Sequence, residues 1–120
     1  MAAEAFQAGN EEFVEERWGA ALQLFEKASE LDPGKAEYLL HKAAALTKLG
    51  RIEDAIGACD SAMKAEPNNA KPYLRKGMAL VQKGDLASAK GVLQKGAAMD
   101  PGNKSFNTWI NKCGDVEPAA

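Results

Sequence analysis

Lys71 and Arg75 stand four residues apart, so on a helix they share one side, one turn from each other. Leu74 and Met78 beside them are apolar. Two cations over apolar neighbours suit a peptide carboxylate, and the arginine guanidinium can grip one through a bidentate fork. Other chemistry finds little material. His41 is the only histidine, so no histidine-based metal cluster is expected. No glycine-rich phosphate loop, Walker pattern or nucleophile elbow occurs. The carboxylate pairs Glu11-Glu12 and Glu15-Glu16 lie where a solvated helix is expected. Cys59 and Cys113 are far apart in sequence, form neither a disulfide framework nor a metal site, and suit a reducing compartment. No catalytic residue, cofactor or metal is expected; the residues point to binding.

The elements that must position these groups announce themselves by repetition. Pro33, Pro67 and Pro101 are spaced by 34 residues, and each closes a similar phrase, as in Leu31-Asp32-Pro33. Small residues recur in register at Gly9, Ala43 and Gly77, at Ala21, Ala55 and Ala89, and at Ala28, Ala62 and Gly96. Larger apolar residues recur at Trp18, Ile52 and Leu86, and at Phe25, Cys59 and Leu93. Small residues let two helix backbones approach and large ones fill the gap left between them. Gly50 and Gly84 interrupt the pattern midway through their repeats, where a helix can end with a residue at positive φ. The first repeat has Glu16-Arg17 there instead. Each Asp-Pro or Glu-Pro ends a second helix, because the residue before proline is pushed out of the α region.

A period of 34 and the run Ala21, Phe25, Pro33 resemble the tetratricopeptide repeat, a helix–turn–helix unit. The expected fold is all-α: a right-handed superhelix, an α-solenoid of three helix pairs with a C-terminal capping helix. The repeats span about 2–34, 36–69 and 70–103, and the cap 104–113. Phe106, Trp109, Ile110 and Cys113 share one helix face, so Trp109 reads as core. Asn103 is the expected N-cap and Gly114 the stop. Residues 1–114 form a single domain by length, and 115–120 a disordered tail or the start of a linker.

Stacked helix pairs present a curved binding surface. The resemblance implies that the first helices line its concave side, which places Phe6, Asn10, Phe13, Leu40, His41, Lys71, Leu74, Arg75 and Met78 there. The apolar members would form a strip through which a homodimer could assemble. The arrangement resembles the dicarboxylate clamp of chaperone-binding tetratricopeptide domains, which hold acidic C-terminal tails of heat-shock chaperones. Asn10, Lys71 and Arg75 match clamp positions. Phe6 stands where a lysine belongs and His41 where an asparagine belongs; there His41 would donate a further hydrogen bond.

The runs Lys71-Pro72-Tyr73-Leu74-Arg75-Lys76-Gly77 and Ser105-Phe106-Asn107-Thr108-Trp109-Ile110-Asn111-Lys112-Cys113 resemble the suppressor-of-G-two-allele (Sgt-one) co-chaperones. That resemblance implies an adaptor linking the ninety-kilodalton heat-shock chaperone to Skp/cullin ubiquitin ligases, in the cytoplasm and also the nucleus. It further implies that the chain is the N-terminal third of a protein continuing into a p23-like β-sandwich and a specific C-terminal domain. A formal charge of −2 supplies no attraction for nucleic acid, and no apolar stretch is long enough to span a membrane.

Overall fold

The computed structural model describes residues 1–119, and among these every regular element is an α-helix. The helices gather into two compact units, Met1–Pro67 and Asn68 onward.

The first unit holds α1 (Ala2–Val14), α2 (Trp18–Leu31), α3 (Ala36–Lys48) and α4 (Ile52–Ala65), each packed on the next. Its core is the set of recurring positions: Ala21, Phe25, Ala28 and Ala62 are fully buried, with Ala43, Ala55 and Cys59 nearly so. A methyl group at Gly9 would sit 2.7 Å from the Phe25 ring, so α1 can close on α2 only without a side chain there.

The second unit holds α5 (Lys71–Lys83) and α6 (Leu86–Met99), with α7 (Lys104–Lys112) against both. Leu93 and Phe106 fill its centre. Gly96 lets α7 and α5 reach α6 together: a Cβ there would overlap Phe106 and lie 2.7 Å from Tyr73 Cβ.

The turns repeat with the sequence. Glu16, Gly50 and Gly84 all adopt left-handed backbone, with φ of 61°, 77° and 92°. Each is followed by a residue whose N–H reaches back over the helix end: Arg17 to Glu12 O at 2.9 Å, Arg51 to Leu46 O at 2.9 Å, Asp85 to Leu80 O at 3.0 Å. This is the Schellman arrangement, which satisfies otherwise orphaned carbonyls. The first repeat makes it without glycine. Asp32, Glu66 and Asp100 end the second helices by leaving the helical region, with φ of −141°, −135° and −139°, each donating its N–H to the carbonyl of the small packing residue, Ala28, Ala62 or Gly96. The Asn103 side chain accepts the Ser105 N–H at 3.0 Å, and Gly114 turns at φ 71°.

One expectation at the C-terminus is corrected. Phe106 on α7 and Cys113 just after it are buried, but Trp109 is only half-buried and carries Lys112 Nζ 4.1 Å above its ring. A nine-residue helix has one narrow face to bury, and Phe106 is its one buried residue. The segment 115–119, expected as a disordered tail or the start of a linker, follows the turn at Gly114. It runs along α6, where the Ala119 N–H donates to Ala87 O at 2.9 Å. Ala120 lies outside the described residues.

Candidate functional site

In the second unit, Lys71 opens α5 and Arg75 follows one turn later. Both side chains are exposed, with Leu74 and Met78 half-buried beside them. The ion pairs Met1–Glu4, Arg17–Glu12 and Arg51–Asp54 engage neither Lys71 nor Arg75. The first turn of α5 contains no acidic residue, whereas α1 has Glu4 and α3 has Glu37 in theirs. A helix N-terminus carries partial positive charge and favours an anion. Here the chain supplies none, and two cations reinforce the same sign.

In the first unit, Phe6 and His41 belong to an aromatic cluster. Phe6 lies 4.9 Å from Tyr38 and 5.9 Å from Phe25 between ring centres. The His41 ring meets Phe6 nearly perpendicularly at 4.7 Å. Its Nδ1 is 2.9 Å from the Glu37 carbonyl oxygen. A carbonyl only accepts, so Nδ1 carries the proton, and neutral His41 keeps a lone pair on Nε2. With Nδ1 engaged by the main chain, Nε2 is the ring nitrogen left to meet a ligand.

Asn10 is half-buried, and it borders a shallow open depression shared with Glu11, Glu12 and Glu15. Glu12 pairs there with Arg17, whose pKa its carboxylate raises. Phe13 is half-buried and packs edge-on against Trp18 at 4.8 Å. Leu40 is corrected outright. It is 7% exposed and belongs to the buried cluster with Phe25 and Ala43, so it offers no binding surface. The helix α3 is packed by α2 on one side and α4 on the other, and Leu40 shares a stripe with Ala36 and Ala43 that both neighbours cover.

The acid-free first turn of α5 was readable in the sequence once the helix start was placed. The direction of the His41 proton was not.

Comparison with known proteins agrees with the repeat. The tetratricopeptide repeat family matches residues 13–71 and again 70–103. The human small glutamine-rich tetratricopeptide repeat-containing protein beta is 44% identical over 52 residues, which is 43% of this chain and only 17% of that protein. The TPR2B domain of yeast Sti1, solved as a complex with an Hsp70 peptide, is 28% identical and superposes with a TM-score of 0.88, covering 93% of this chain and 94% of that one. The second TPR domain of human RPAP3, solved with the HSP70 peptide SGPTIEEVD, is 25% identical with a TM-score of 0.88, covering 96% of both chains. Two family matches that together run from residue 13 to 103, on helices paired as described, leave one conclusion: the chain belongs to the tetratricopeptide repeat family, whose helix pairs bind proteins and do not catalyse reactions.

Proposed function

We propose that this chain is a receptor for acidic C-terminal peptides of the heat-shock chaperone type. The carrying observation is the unpaired Lys71 and Arg75 on an N-terminal helix turn without acidic residues. A carboxylate-rich peptide supplies the negative charge that this turn lacks. The yeast Sti1 and human RPAP3 domains, described as complexes with Hsp70 peptides, support the reading. Leu74 and Met78, half-buried on the same helix, offer apolar surface beside the two cations.

Titration with SGPTIEEVD, followed by fluorescence anisotropy, tests this. Binding in the micromolar range is expected. Arg75→Ala removes a charge-assisted hydrogen bond of about 1.5–3 kcal/mol, roughly tenfold or more in affinity. No binding, or binding unchanged by both Lys71→Ala and Arg75→Ala, overturns the proposal.

A second reading is the Sgt-type adaptor that joins chaperones to a Skp-type ligase subunit in the cytoplasm and nucleus. Its support is α7, whose sequence carries the resemblance and whose Trp109 remains half-exposed beside Lys112. Exposed tryptophans are frequent anchors in protein interfaces. Binding to the ligase subunit that survives Arg75→Ala and is lost in Trp109→Ala favours the adaptor. The homodimer has less apolar surface to use now that Leu40 is buried; sedimentation showing only monomer at micromolar concentration excludes it.

A further inference from the structure

Comparison of the three second helices isolates one anomaly. Leu22-Gln23 in α2 and Ile56-Gly57 in α4 correspond by the 34-residue period to Lys90-Gly91 in α6. A lysine therefore stands where the other repeats have an apolar side chain. Gln23 and Gly57 are exposed, yet Gly91 is buried. A Cβ at Gly57 would meet nothing within 4 Å, whereas one at Gly91 would overlap the Ala119 carbonyl oxygen.

What covers Gly91 is the chain's own C-terminal segment. After the left-handed turn at Gly114, Lys90 Nζ donates to Gly114 O at 2.9 Å and to Val116 O at 3.1 Å. Val116 is half-buried, and three residues on the Ala119 N–H reaches Ala87 O at 2.9 Å. All the contacts with α6 just described use main-chain atoms of the segment, so it is read by its backbone. A glycine inside a helix is less favourable than alanine, and close approach of another backbone is one reason for it to be there.

We propose that Ala87, Lys90 and Gly91 form a seat for an extended chain segment, occupied in cis by residues 115–119, which act as a clasp on the last helix pair. Lys90 is its catch: the ammonium holds two carbonyls that no apolar side chain at this position could satisfy. Gly91 is its floor. Loss of either releases the segment and bares this face of α6.

Amide hydrogen exchange read at Ala119 by NMR in the full chain tests the clasp. In the unaltered protein this amide should exchange at least tenfold more slowly than in a free peptide of residues 114–120. Gly91→Ala should bring the rate to within about twofold of the peptide, and Lys90→Gln should accelerate it several-fold. Gly57→Ala, the same exchange on open helix surface, should raise Tm and leave Ala119 protected. Three results overturn the proposal: free-peptide exchange at Ala119 in the unaltered chain, protection that survives Gly91→Ala, or protection that survives Lys90→Gln.

Discussion

The Ala36 backbone N–H donates to the Glu66 carboxylate at 2.7 Å, so the residue just past the end of α4 caps the first turn of α3 in the same repeat. Lys35, the residue that precedes α3, makes no side-chain cap of its own. The helix borrows its acceptor from thirty residues downstream, and the bond ties the open end of the α3–α4 pair together. Replacing a capping acceptor by alanine costs about 0.5–2 kcal/mol. Glu66→Ala should destabilise the protein by about that amount in urea denaturation, and Glu66→Gln by less.

Glu16 adopts φ 61°, where Gly50 and Gly84 serve the other two repeats. Left-handed backbone costs an L-residue roughly 1–2 kcal/mol, partly offset on substitution by the greater freedom of unfolded glycine. Glu16→Gly is expected to stabilise by about 0.5–1 kcal/mol. A lower urea midpoint for this variant would show that the Glu16 side chain contributes something beyond the turn.

Gly96 meets two helices at once, with Phe106 and Tyr73 on top of it. Overpacking typically costs about 1–3 kcal/mol. Gly96→Leu should fall within or above that range, and thermal unfolding should show the loss. A neutral result would mean that α7 can move away without consequence.

Burial holds the Cys113 thiol above its ordinary range, with the Lys90 charge opposing the shift. The sign follows from a folded pKa above the unfolded one. The contribution to stability is complete below the ordinary thiol pKa and is lost as pH rises through the raised one. Denaturation midpoints should therefore fall on the alkaline side, less steeply in Cys113→Ala.

The helix pairs, their packing residues and both kinds of turn were legible in the amino-acid sequence, because each depends on local spacing repeated in register. Gly9, Phe25, Gly77, Leu93 and Gly96 are buried where the period requires small or large side chains. Even the turn at Glu16 lies in register with Gly50 and Gly84, though its residue type gives no hint of positive φ. The cation pair on α5 also followed from helical spacing alone.

Tertiary structure decided what depends on a second neighbour. Leu40 and Trp109 both sit on plausible faces, but which is covered is set by the number of helices packed around each one. The Glu66–Ala36 bond and the seat at Gly91 join residues about thirty apart, and no local pattern encodes a hydrogen bond across that separation. His41 shows the limit most plainly: its ring meets Phe6 at 4.7 Å and Phe25 at 5.5 Å, contacts that exist only once three helices pack together.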